Sequence, residues 1–162
     1  LIALGIRLQE GNQTVYQRHI YTLALACKLT GIQRRQNADA GVQAAHQIAE
    51  TLNLSAIVCY TSSGTTGLRA ARERPQVPIL ALSPVIQTAR RLSVVWGLHC
   101  VVTSDATDLD DMVNRACRIV ATEGFGKPGD RVIISAGVPL GTPGATNMLR
   151  IAYIGSDGLS GV

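Results

Sequence analysis

With 162 residues, 46% of them hydrophobic and only 16% charged, the chain can bury one substantial core, which excludes wholesale disorder. Its net charge of +4 comes from 13 Arg and 2 Lys (Lys28 and Lys127) scattered along the sequence, without the clustered cations and interleaved aromatics that a nucleic-acid groove needs. No apolar run reaches the roughly 18 residues of a transmembrane helix, so neither nucleic acid nor membrane is expected as a partner.

Residues 1–14 show no convincing period and residues 15–29 can be helical, so 1–37 is taken as an N-terminal arm or the remnant of an upstream region. The chain opens on Leu1 rather than methionine, as in a fragment, and its start lacks the basic n-region of a secretion signal. From residue 38 onward helical and strand patterns alternate. Ala40, Ala44, Ala45, Ile48, Ala49 and Leu52 keep the spacing of an amphipathic helix, with Asn37 or Asp39 as its N-cap. Residues 54–60 are a short apolar run of the kind buried in a parallel sheet, and 68–74 a short helix broken by Pro75 and Pro78. Residues 79–82 give the next strand. Ser83-Pro84 then predicts a capped helix running to about residue 95 and stopped by Gly97.

Residues 98–102 form a third strand, and Asp105, Thr107 or Asp108 opens a helix to about residue 123 whose acids favour its N-terminus. Residues 131–136 are a fourth strand and 147–154 a fifth. The first four strands are separated by helices and should be parallel; the fifth follows a loop and should run antiparallel. The expected fold class is α/β, a three-layer sandwich with a mostly parallel five-stranded sheet over residues 38–154. Residues 155–162 read as a disordered tail.

The segment with most chemical content is the loop after the first strand. Thr61, Ser62, Ser63 and Thr65 supply hydroxyls, Gly64 frees the backbone to turn its amides inward, and Thr66 begins a helix whose N-terminus carries positive partial charge. This makes a cup for a phosphate group. No Lys follows the glycine as in a Walker loop, so phosphoryl transfer is not expected there. The bland reading is that the hydroxyls merely cap the helix. A second loop, 136–147, holds Pro139, Gly141, Thr142 and Gly144 and is shaped like a lid rather than a tight hairpin. Its bland reading is a structural corner, with Thr146 and Asn147 bonding nearby backbone.

Other residues invite weaker readings. Cys27, Cys59, Cys100 and Cys117 form no CxxC pair and read as reduced thiols of a cytoplasmic protein. His19, His46 and His99 stand isolated, so no metal site is expected. Trp96 is expected to pack its helix onto the sheet, and Arg90 and Arg91 to serve the helix dipole.

In order and spacing, TSSGTTGLRAARERPQVPILALSP, ARRLSVVWGL, GDRVIISAG and GTPGATNMLR resemble the C-terminal domain of pyruvate kinases. The resemblance spans roughly residues 37–154. It implies a domain without chemistry of its own, working beside a catalytic (β/α)8 barrel that holds Mg²⁺ and K⁺ and moves phosphate from phosphoenolpyruvate to ADP. No cofactor is implied for this chain, and no activity when it is alone. It further implies that Thr61, Ser62, Ser63, Gly64, Thr65 and Thr66 hold the phosphate of an allosteric effector, with Pro139, Gly141, Thr142 and Gly144 closing the pocket. Partners would be the barrel and sister subunits of a tetramer, so a homo-oligomer is expected. Eukaryotic members add a Trp and an Arg for a second phosphate; the acidic stretch 105–111 here would repel one, so AMP or a sugar monophosphate is the expected effector. The rivals are a stand-alone nucleotide or sugar-phosphate sensor and an independent enzyme, the latter lacking a base, nucleophile pair or metal cluster.

Overall fold

Val58, Leu80, Leu82, Ile133 and Ile134 are all completely or almost completely shielded, because the sheet that carries them is covered on both faces. A computed structural model describes residues 30–138 and 146–161, and the unit discussed below begins at Arg34. Most of the expected arm, residues 1–29, lies outside the described residues. In chain order the elements are α1 (Thr30–Thr51), β1 (Ala56–Tyr60), α2 (Thr65–Glu73), β2 (Ile79–Ser83), α3 (Ile86–Leu92), β3 (Leu98–Val102), α4 (Leu109–Thr122), β4 (Arg131–Ala136), β5 (Met148–Ile154) and β6 (Ser160–Gly161). The strands lie in the order β3-β2-β1-β4-β5-β6. β1 is parallel to both β2 and β4, β2 is parallel to β3, and β5 is antiparallel to β4.

The three layers follow from handedness. The chain steps from β1 to β2 to β3 in one direction, then returns past β1 to place β4 on its other side. A right-handed crossover made in the reverse direction puts its helix on the opposite face. Accordingly α2 and α3 cover one face, which α1 joins, and there Val42, Ala49, Ala70 and Leu92 pack on Ile57, Ile79 and Ile133. α4 covers the other, where Met112, Val113, Ala116 and Val120 pack on Val58, Leu80, Leu82 and Ile134. The α/β sandwich with four parallel strands and an antiparallel fifth matches the sequence expectation.

Several boundaries differ from the sequence reading. α1 begins at Thr30, so Asn37 and Asp39 lie inside it rather than capping it; the Gln and Arg residues ahead of them are good helix formers. Its buried stripe is Ala38, Val42, Ala45 and Ala49, while Ala40 is exposed. α3 starts at Ile86 because Ser83 still belongs to the sheet: its carbonyl accepts from the Thr103 amide at 3.0 Å. The Ser83 hydroxyl instead accepts from the Val85 amide at 3.2 Å. The tail is also ordered differently from expectation. Asp157 Oδ1 accepts from the Leu159 amide at 2.9 Å, and Ser160 donates its hydroxyl to Asn114 Oδ1 at 2.6 Å. Residues 155–159 thereby form a turn that brings β6 back antiparallel onto β5.

Candidate functional site

The reversal of strand order falls between β1 and β4, and the loops that leave their carboxyl ends are the two singled out in the sequence. A crevice outside such a switch point is where open α/β sheets receive ligands. The β1 loop is built around Gly64, which sits at φ 86° in the N-cap position of α2 and supplies no side-chain cap. The Gly64 amide donates to Thr61 Oγ1 at 2.8 Å, which tightens the turn. The N-cap residue thus offers no side chain to the first amides of α2, and the Thr65 amide reaches only the Ser63 hydroxyl, at a long 3.5 Å.

The hydroxyls divide into two groups. Thr61 and Thr66 are 8% and 7% exposed, and Thr66 Oγ1 meets Thr146 Oγ1 at 2.9 Å, joining the β1 loop to the residues entering β5. Those two threonines are tied into the structure. Ser62, Ser63 and Thr65 are exposed, with Ser63 Oγ and Thr65 Oγ1 only 2.9 Å apart. They are the hydroxyls that solvent, or a ligand, can reach. On the second loop, Asn147 accepts from the Val138 amide and donates to the Val138 carbonyl, both at 2.7 Å, and so clamps the loop at its base. Pro139, Gly141, Thr142 and Gly144 lie outside the described residues.

α3 fixes the outer wall of the β1 loop. Thr88 Oγ1 donates to the Ser62 carbonyl at 2.8 Å, and Arg91 Nη2 donates to the Ser63 carbonyl. The sequence reading gave Arg91 to the helix dipole alone and missed this contact. Only the packing of α3 against the loop brings the residues together, and no local pattern signals that.

The acidic stretch 105–111 is largely engaged in local work. Asp108 caps α4 by accepting from the Asp111 amide at 2.8 Å. Asp111 accepts from the Thr107 amide at 3.0 Å and from Arg115 Nη2 at 2.7 Å. The Thr107 amide first, and then the Arg115 guanidinium, hold the Asp111 carboxyl below the usual carboxylate range. Arg115 also donates to the Ser104 carbonyl at 3.0 Å, stitching the exit of β3 to α4. On the inner side Tyr60 donates to the Met112 carbonyl at 2.8 Å, and burial pushes its phenol above the usual range.

The remaining candidates resolve into structural roles. Trp96 does not pack onto the sheet as expected: it is 73% exposed, with the Arg74 guanidinium 6.0 Å from its ring centroid. His46 and His99 each meet a carboxylate at 2.8 Å, Glu50 and Glu123 respectively. Among the described residues no cluster of His, Cys, Asp and Glu is disposed to hold a metal ion. Burial pushes the Cys59 thiol up to about 12 and the Cys117 thiol up to about 11, which makes both poor nucleophiles. No described helix is long and apolar enough to cross a membrane.

Known proteins share this architecture in sequence. The family described as "Pyruvate kinase, alpha/beta domain" matches residues 39–152. A pyruvate kinase of Methylorubrum extorquens is 55% identical over 117 residues, covering 72% of this chain and 24% of the relative. Pyruvate kinases of Staphylococcus haemolyticus and Staphylococcus aureus are 39% identical over 117 residues, again 72% of this chain and 20% of theirs. The chain therefore spans between a fifth and a quarter of the length of these relatives. By the family match over residues 39–152, which covers most of the chain, it belongs to the pyruvate kinase family and represents the α/β domain that lies C-terminal in it.

Proposed function

We propose that this chain is the regulatory and assembly region of a cytoplasmic pyruvate kinase and binds a phosphorylated effector at Thr61, Ser62, Ser63, Gly64, Thr65 and Thr66. The observation that carries the reading is the N-terminus of α2, where Gly64 at the N-cap brings no side chain, at the strand-order reversal and with Ser62, Ser63 and Thr65 exposed beside it. Amides, hydroxyls and helix dipole converge there on the place an anion would take. Loop residues Pro139, Gly141, Thr142 and Gly144 would close the pocket from the β4 side. Asp105 and Asp110, exposed in the segment that follows β3, favour a ligand with one phosphate, such as AMP or a sugar monophosphate, over a bisphosphate.

In this reading the chain performs no phosphoryl transfer. Catalysis, with Mg²⁺ and K⁺, belongs to a barrel domain in the full-length enzyme, and effector binding reaches it through contacts with the barrel and with sister subunits of a tetramer. The test is titration calorimetry of the chain and of Ser63→Asp against AMP, ribose 5-phosphate, glucose 6-phosphate and fructose 1,6-bisphosphate. A fixed carboxylate beside the phosphate should weaken binding by roughly 10-fold or more, since hydrogen bonds to charged groups contribute about 1.5–3 kcal/mol. The fold should persist, because an acid near a helix N-terminus is tolerated. Equal binding by the two proteins would remove the loop as the site. A clear preference for the bisphosphate would overturn the single-phosphate argument.

A further inference from the structure

The loop amides and hydroxyls can receive any oxyanion, and a formal positive charge near them would add the strongest preference for a second negative charge. Six arginines lie on the helices that follow β1, β2 and β3: Arg69 and Arg72 on α2, Arg90 and Arg91 on α3, and Arg115 and Arg118 on α4. Arg69 is paired with Asp39 at 2.6 Å and Arg115 with Asp111 at 2.7 Å. Arg91 meets no carboxylate among the described residues. It stands in the last turn of α3, exposed, and its Nη2 donates to the Ser63 carbonyl. The same Nη2 is 3.3 Å from the point a Cβ on Gly64 would occupy, so the guanidinium lies over the left-handed turn itself.

A contact to one carbonyl uses a single N–H of a group that carries several in a planar fork. The neighbouring carbonyl, Ser62, is already fixed by the neutral Thr88 hydroxyl at 2.8 Å. Holding the loop therefore does not call for a cation. A full positive charge at this place does have a use beside the exposed Ser62, Ser63 and Thr65 hydroxyls. Its attraction for an anion grows with the anion's charge, whereas shape and hydroxyl contacts are the same for a phosphate and a sulfate monoester.

We infer that Arg91 is the charge-selecting residue of the site, reaching the ligand with the N–H groups left over from Ser63 and favouring dianionic phosphate monoesters over singly charged oxyanions of the same shape. The inference rests on the reading of residues 61–66 as a phosphate site and adds what sets its selectivity.

The experiment is calorimetry of the full chain, Arg91→Gln and Arg91→Lys with two probes, ribose 5-phosphate and ribose 5-sulfate. At about pH 7.5 the phosphate monoester is mostly dianionic, its second pKa being near 6, while the sulfate carries one charge. Wild type should prefer the phosphate by roughly 10-fold, Arg91→Gln should lose that preference, and Arg91→Lys should keep part of it. Equal weakening of both probes in Arg91→Gln would mean a merely disturbed loop and would overturn the inference. So would undiminished binding of ribose 5-phosphate by that variant, or loss of the preference in Arg91→Lys if Arg91→Gln fails to fold. Wild type binding neither probe is a distinct result: it would sink the phosphate reading of the loop and this inference with it.

Discussion

Gly64 meets two demands that no other residue type can meet together. Its φ of 86° lies where an L side chain costs about 1–2 kcal/mol. A Cβ there would stand 3.2 Å from Thr88 Cγ2 and 3.3 Å from both Arg91 Nη2 and Leu92 Cδ1. Those neighbours are two polar residues gripping the loop and one core leucine, so the space cannot open without loosening either the grip or the core. Gly64→Ala should accordingly lose about 1–3 kcal/mol of stability, read as a lower urea midpoint with an unchanged slope. An unchanged midpoint would mean that the turn relaxes freely, and the case for a pre-formed cup would fall with it.

Among the elements, α4 shows how an acidic stretch in the sequence divides its work. Asp108, in extended backbone at the N-cap, accepts from the Asp111 amide. Asp108→Ala should destabilise the protein by about 1 kcal/mol, measured by thermal or urea unfolding, and Asp108→Asn or Asp108→Ser should recover most of it. The start of this helix was legible because a short polar residue followed by acids is a local signal. The strands were legible for a related reason: a five-residue run buried on both faces has to be apolar throughout, as Ile79–Ser83 nearly is. Where long-range pairing competes with a local signal, the local signal misleads. Ser83-Pro84 looks like a helix start, yet β3 claims the Ser83 carbonyl through Thr103 and the helix begins later. The Asp157-Gly158 pair was a turn signal available in the sequence, but β6 is too short to show as a strand by composition. Of the site, the loop after β1 was readable from its hydroxyls and glycine. Arg91 was not, because it owes its contact to a partner on another element rather than to its neighbours in sequence.

At the scale of the molecule, the sheet is wider than the layer that covers it. α1, α2 and α3 shield β1, β2 and much of β4, but on the antiparallel side the cover runs out: Ile151 is 40% and Tyr153 48% exposed on β5. Val94, beyond α3, is 88% exposed and Trp96 beside it 73%. Isolated apolar residues on a surface need no explanation, but alternate positions along one strand, 151 and 153, form a continuous bare strip. In the proposed role such a strip is where another domain or another copy of the chain would rest, and without one it remains in contact with water. The chain on its own should therefore self-associate with rising concentration, by sedimentation velocity. Ile151→Glu combined with Tyr153→Glu should shift that transition to concentrations about 10-fold higher or more, equivalent to about 1.4 kcal/mol. Both residues already face solvent, so the pair of substitutions should leave the unfolding midpoint nearly unchanged. A chain that stays monomeric at the highest concentrations would make the strip an ordinary surface and weaken the assembly role. Association unaffected by the double substitution would move the contact elsewhere, with the Val94 and Trp96 patch as the next surface to alter.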